Sequence, residues 1–212
     1  MTYPFERYLN IRTAMGPTFR PDGRRLAFLT NITGTNQIWA VDIPAAGAPT
    51  PWPDQLTFFK ERVNGVSYSP VNDELVFSTD IGGNEHDQLF LLSGDGQSMR
   101  QLTDNLEAIH RFDGWSHDGT RIAFSSNARE NSVFDVYVMD VRTGQTELVY
   151  EGDGWCYGGG FSPDDSKMLI GQAYSNFEQQ LWLMDLGSGR LHSLTTPDKP
   201  ARYGAAFAPD GR

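Results

Sequence analysis

The sequence predicts an all-β protein: a β-propeller fragment of four four-stranded antiparallel blades plus the first strand of a fifth. The first observation is an internal repeat. Phe19-Arg-Pro-Asp-Gly-Arg-Arg-Leu-Ala-Phe28 returns as Tyr68-Ser-Pro-Val-Asn-Asp-Glu-Leu-Val-Phe77, Trp115-Ser-His-Asp-Gly-Thr-Arg-Ile-Ala-Phe124 and Phe161-Ser-Pro-Asp-Asp-Ser-Lys-Met-Leu-Ile170. It begins again at Phe207-Ala-Pro-Asp-Gly-Arg212, and the leading aromatic recurs after 49, 47, 46 and 46 residues. A fixed period in this range marks solenoids and propellers. The second observation is turn chemistry. Pro presets φ, Asp hydrogen-bonds its own turn, and Gly adopts a positive φ cheaply. The Gly23 slot holds Asn72, Gly119 and Asp165 in later copies, and Asn and Asp best tolerate that backbone, so all three are expected to share it. The third is the alternation of apolar and polar residues with many β-branched and aromatic side chains, which favours strands and leaves almost no helix.

Residues 1–14 read as a lead-in, with Tyr8 to Ala14 a strand or loop. Residues 15–212 form the incomplete propeller, with blades at about 15–62, 63–110, 111–156 and 157–202, and a fifth starting over 203–212. In the first blade the segment around Phe19 is strand one and Arg25 to Thr30 strand two. Gln37 to Ile43 is strand three and Gln55 to Phe58 strand four. Strand three recurs at Gln88 to Leu92, Asp135 to Asp140 and Gln180 to Asp185. Strand four recurs as Gln101-Leu-Thr103, Glu147-Leu-Val149 and Ser193-Leu-Thr195. Gly94-Asp-Gly96, Arg142-Thr-Gly144 and Gly187-Ser-Gly189 suit hairpins between strands three and four. The sequence stops inside a turn, from which a longer parent chain is expected.

Strands alternate in direction, so the loops between strands two and three share a face with the loops between blades. That face carries the longer loops, among them Asp80 to Asp87, Asn127 to Asn131, Gly152 to Tyr157 and Lys199 to Tyr203. Long loops on a rigid scaffold are where binding concentrates.

Composition excludes several functions. The net charge of −10 argues against nucleic acid or an anionic membrane as partner. No apolar run approaches the roughly 20 residues of a membrane helix, and the first residues lack a signal pattern, so a cytoplasmic location is expected. The single cysteine, Cys156, rules out an internal disulfide framework. It has Glu151 and Asp153 as nearby charges rather than a base, which favours an inert thiol. The four histidines show no metal-ligand spacing, and His117 fills a turn slot. There is no Gly-x-Ser-x-Gly elbow, and Gly158-Gly-Gly160 lacks the Lys of a phosphate loop. No catalytic residue, metal site or cofactor is assigned to this chain.

The most distinctive polar stretch is Asp80-Ile-Gly-Gly-Asn-Glu-His-Asp-Gln88. Glu85 could bind a substrate ammonium or an arginine of a covering domain. Alternatively Asn84, Glu85 and Gln88 simply pin the loop. Arg62, Arg111, Arg129 and Arg202 share that face and fit either peptide contacts or salt bridges between blades. The candidate contact residues for substrate or a docked domain are Asp80, Asn84, Glu85, Arg129, Trp155 and Tyr157.

The Pro-Asp turns, with Val136-Tyr-Val-Met-Asp140 and Leu181-Trp-Leu-Met-Asp185, resemble the TolB-type propeller repeat. Asp80 to Leu92 is similar to a loop and strand in the propeller of prolyl oligopeptidase-family serine peptidases of the acylaminoacyl- and dipeptidyl-peptidase kind. That resemblance implies a non-catalytic propeller that gates short peptides to a C-terminal α/β-hydrolase domain of the same parent chain. The partners implied are that domain and a short peptide. The alternative is a stand-alone TolB-like propeller that binds a protein. A third reading, an enzyme using the propeller channel, would need clustered acids or histidines at equivalent loop positions, which are not evident.

Overall fold

The computed structural model describes Phe5, residues 10–196 and residues 201–211. Its named elements are all strands, arranged in four separate four-stranded antiparallel sheets. The first sheet holds β1 (Ala14–Phe19), β2 (Arg25–Thr30), β3 (Gln37–Asp42) and β4 (Asp54–Gln55). The second holds β5 (Val63–Tyr68), β6 (Glu74–Thr79), β7 (Gln88–Ser93) and β8 (Met99–Gln101). The third holds β9 (His110–Trp115), β10 (Arg121–Ser126), β11 (Asp135–Asp140) and β12 (Thr146–Tyr150). The fourth holds β13 (Trp155–Phe161), β14 (Lys167–Ser175), β15 (Glu178–Asp185) and β16 (Leu191–Ser193). Every sheet runs in sequence order, which is the meander of a propeller blade.

Apolar side chains fill the seams between consecutive blades. Ile38 and Ala40 of the first blade pack with Leu75 and Phe77 of the second. Val76 and Leu89 pack with Ile122 and Phe124 of the third, and Val136 and Val138 with Met168 and Ile170 of the fourth. Burial of each of these side chains larger than alanine contributes about 1.5–3 kcal/mol. Hydrogen bonds between inner strands tie the seams further. Tyr68 N–H donates to Thr18 Oγ1 at 3.0 Å, Trp115 Nε1–H to Ser67 O at 3.4 Å, and Gly158 N–H to Asp113 Oδ2 at 2.8 Å.

The turn between strands one and two keeps its chemistry in three blades. Gly23, Gly119 and Asp165 have φ of 68°, 66° and 55°. Asp22, Asp118 and Asp164 each accept the backbone N–H two residues on, at 2.9, 2.9 and 3.2 Å. The second blade departs from the expectation: Asn72 does not take a positive φ. Val71 stands where the other blades have Asp, so the side-chain acceptor is missing. Ser69 Oγ instead accepts two earlier N–H groups of the turn, Val71 at 3.3 Å and Asn72 at 3.2 Å. His117 ties two turns together, its N–H and its Nδ1 meeting Asp165 Oδ1 at 2.8 and 3.0 Å.

Strand four ends earlier than the sequence suggests in three blades, and in the first it is also shorter. The cause is one threonine per blade. The hydroxyls of Thr57, Thr103 and Thr195 accept the N–H of Ile38, Leu89 and Leu181 at 2.8, 2.9 and 3.1 Å. A side chain thus takes the acceptor position that a backbone carbonyl would fill. In the third blade the register is one residue off the expected alignment: Leu148, not Glu147, lies opposite Tyr137, as Gln101 lies opposite Phe90. Tyr150 then falls at the threonine position and the ladder runs on to it.

Ala14, expected in the lead-in, already belongs to β1, while Tyr8 and Leu9 of the expected lead-in segment and Lys199 of the fourth inter-blade loop lie outside the described residues. The fifth repeat keeps its turn, with Gly211 N–H on Ala208 O at 2.9 Å, but residues 201–208 are not in a strand. The first strand of a blade is hydrogen-bonded through the second, and no named strand is paired with residues 201–208.

Candidate functional site

The loop Asp80 to Asp87 folds back on itself through two glycines and one strained glutamate. Gly82 and Gly83 have φ of 73° and 75°, and Glu85 sits at 62°. A non-glycine residue holds that conformation where its surroundings fix it. Here Asp80, 8% exposed, accepts Glu85 N–H through Oδ2 at 3.0 Å. Asn84 caps His86 N–H at 3.0 Å and donates to Leu106 O at 3.2 Å. The His86 ring reaches the same carbonyl at 2.8 Å. Gln88, fully buried, donates to the carbonyls of His86, Asn105 and Ala108. The pinning expected of Asn84 and Gln88 is therefore present, and it leaves the Glu85 carboxylate beside a cleft.

That cleft, of about 910 Å3, gathers Lys60, Arg62, Asn64, Asp80, Glu85, Asp87 and Arg111. Asn64 Nδ2 donates to Asp87 Oδ1 at 2.7 Å. Partial burial nevertheless pushes the Asp87 carboxyl above its usual range, and Asp80 adds to the effect. A second hollow of about 420 Å3 shares Asn64, Asp87 and Arg111 and continues along the inner strands to Asp113. Asp113 lies at the seam of the third and fourth blades. Burial lifts its carboxyl to about 7, against the opposing hydrogen bond from Gly158 N–H.

Arg111 joins this cleft to the next blade boundary. Its guanidinium carbon lies 4.6 Å from the Trp155 ring centroid and 5.6 Å from that of Phe134. Those two rings are stacked 5.2 Å apart, and Trp155 is 44% exposed. Tyr157, half-buried, lies against Gly171, where a Cβ would meet its ring at 2.2 Å. Arg129 is engaged within the chain. It holds Asp135 through two hydrogen bonds and donates to Gly152 O at 2.7 Å.

Of the six residues singled out from sequence, Asp80 and Glu85 line the cleft, Asn84 braces its loop, and Trp155 borders it through Arg111. Tyr157 and Arg129 sit at the following seam. Asn64 and Asp113 were missed, because nothing but spatial placement separates them from ordinary polar strand residues. Arg111 was visible only as one arginine among four. Among the described residues, no group of three or more His, Cys, Asp or Glu side chains is placed to hold a metal.

No family model matches the sequence. An uncharacterized protein of Agrobacterium fabrum, Atu1656, is 25% identical over 185 residues, covering 84% of this chain and 57% of that protein. The uncharacterized peptidase YuxL of Bacillus subtilis is 29% identical over 125 residues, 56% of this chain and 18% of that protein. The chain thus spans less than two thirds of either relative. Among solved structures, TolB from Acinetobacter baumannii superimposes with a TM-score of 0.68 at 20% identity, over 94% of this chain and 47% of that one. An oligogalacturonate lyase in complex with manganese gives 0.70 at 16%, over 94% and 60%. A puromycin-hydrolyzing peptidase of Mycobacterium tuberculosis gives 0.65 at 13%, over 86% and 28%. The four sheets are therefore blades of the β-propeller fold that TolB, the lyase and the peptidase share with this chain.

Proposed function

We propose that this chain is the non-catalytic propeller part of a cytoplasmic serine peptidase of the prolyl oligopeptidase type. In this reading it gates short peptides on their way to an α/β-hydrolase domain of the same parent chain. The observation that carries it is the mixed charge of the loop-face cleft. Glu85, Asp80 and Asp87 stand with Arg62 and Arg111 in about 910 Å3. A short peptide presents an ammonium at one end and a carboxylate at the other, and such a cleft offers a partner to each. The half-exposed indole of Trp155 borders the cleft through the Arg111 guanidinium over its ring. The likeness to YuxL and to the puromycin-hydrolyzing peptidase supports the same reading.

A stand-alone TolB-like propeller that binds a protein is the second reading, supported by the TolB superposition over 94% of the chain. One experiment separates them. The natural full-length reading frame and the 212-residue piece are assayed with aminoacyl and acylaminoacyl chromogenic substrates, with and without a serine-directed phosphonate. Phosphonate-sensitive hydrolysis by the full-length protein alone is the expected result. No hydrolysis by well-folded full-length protein would favour the binding propeller.

A further inference from the structure

At the first two blade seams a buried glutamine holds the following loop in the same way, and the second seam departs from the first in what that loop carries. At the first seam Gln37 Nε2 holds the carbonyl of Phe59, and Val63 N–H donates to Asn36 O. At the second seam Gln88 Nε2 holds the carbonyl of Asn105, and His110 N–H donates to Asp87 O. Asn105 therefore stands in the place of Phe59, and His110 in the place of Val63.

The exchange changes what covers the strand-three aromatic of the next blade. Pairing registers make Phe90, Tyr137 and Trp182 equivalent, opposite Phe77, Phe124 and Ile170. The Phe59 ring lies 6.3 Å from that of Phe90 and 5.7 Å from that of Phe77. The Tyr150 ring lies 5.8 Å from that of Trp182. At the middle seam the His110 ring, 5.8 Å from Phe124, takes over only the contact to strand two. Tyr137 is stacked on Phe124 at 5.3 Å but receives no ring from the preceding blade. A groove of about 590 Å3 lies there, lined by Tyr137, Met139, Asn105, Ala128 and His110. His110 is 5% exposed, and its Nδ1 has no hydrogen-bond partner. Burial holds its imidazole below its usual pKa, so it faces the groove uncharged at neutral pH.

We propose that this groove binds an aromatic side chain of a peptide segment, laid over Tyr137 as Phe59 lies over Phe90 and Tyr150 over Trp182. The sister seams argue for a polypeptide as the source, because there the ring arrives on the chain segment at the end of strand four. Ring-on-ring packing adds to the area buried and favours an aromatic over an aliphatic side chain of similar size. The groove is separate from the mixed-charge cleft and its binding does not depend on peptidase activity.

The test uses the full-length protein with carbon-13-labelled methionine methyl groups and N-acetyl-L-tyrosinamide as probe, N-acetyl-L-leucinamide as control. An aromatic ring over Tyr137 shifts the neighbouring Met139 methyl resonance by its ring current. A saturable Met139 shift with the tyrosinamide, and at least about tenfold weaker binding of the leucinamide, is expected. Two plugs work from different sides: Asn105→Phe restores the ring of the first seam, and Ala128→Trp fills from the opposite loop. Each should abolish the Met139 shift while leaving the other methionine signals in place. An unmoved Met139 methyl, equal response to both probes, or undiminished binding in the folded plug variants would overturn the proposal. Should neither variant fold, the comparison of the two probes on the unsubstituted protein still decides it.

Discussion

Arg129 grips Asp135 through two hydrogen bonds, Nε to Oδ2 at 2.7 Å and Nη2 to Oδ1 at 2.9 Å, and that carboxylate is completely buried. Asp135 begins strand three of its blade, the place held by the buried glutamines Gln37 and Gln88 in the two blades before it. A neutral amide pins the following loop in those blades, and a charge pair does so in the third. Arg129→Ala would strand the buried carboxylate and lower stability, the arginine itself being one-third exposed. Combining it with Asp135→Gln should recover part of that loss. Urea denaturation of the two variants measures both.

Asp113 makes stability fall as pH rises. Its folded pKa is about 7, above the ordinary carboxylate value of 3.8, so between those values the folded chain keeps a proton that the unfolded chain has released. The contribution is present in full below about pH 4 and is lost by pH 7. Asp113→Asn should therefore raise the melting temperature at pH 8, by an amount equivalent to about 2 kcal/mol in a partly wet seam, and leave it nearly unchanged at pH 4. Thermal melts across that range check the sign.

Thr103 serves two groups at once. Its hydroxyl accepts Leu89 N–H at 2.9 Å and donates to Gln88 Oε1 at 3.1 Å. Thr103→Val keeps the shape and removes both bonds, at a cost of about 1–3 kcal/mol. Amide hydrogen exchange should show faster exchange at Leu89 than in the parent protein.

Cys156 is fully buried, and burial pushes its thiol up to about 12. Native protein at pH 8 should resist iodoacetamide, and protein in denaturant should be labelled at one site. Labelling of the native protein at the rate of a free thiol would contradict the buried placement.

Much of the fold was legible because it rests on local rules. Positive φ at Gly23, Gly119 and Asp165 follows from side chains within the turn itself. Asn72 escaped for the same reason: its tolerance of that backbone was readable, but the loss of the Asp acceptor at Val71 decided the turn instead. The threonine endings of strand four are also present in the Leu-Thr pairs at Thr57, Thr103 and Thr195, yet their effect needs the partner strand to be in place. The site was less legible. Asp80 and Glu85 stand out in a polar run, whereas Arg111 acquires meaning only from two rings, one of them at the start of β13 in the next blade. The His110-for-Val63 and Asn105-for-Phe59 exchanges are invisible without knowing that Gln37 and Gln88 hold equivalent carbonyls.

The threonines that close strand four bear on how safely the protein can be crowded. The outermost strand of a blade offers unpaired peptide groups to any neighbouring molecule, and length makes that offer dangerous. Here β4 has two residues, and β8 and β16 three each, too few to template a stranger. Tyr150 removes that protection from the third blade, whose β12 runs to five residues. Self-association at high concentration should begin along that rim.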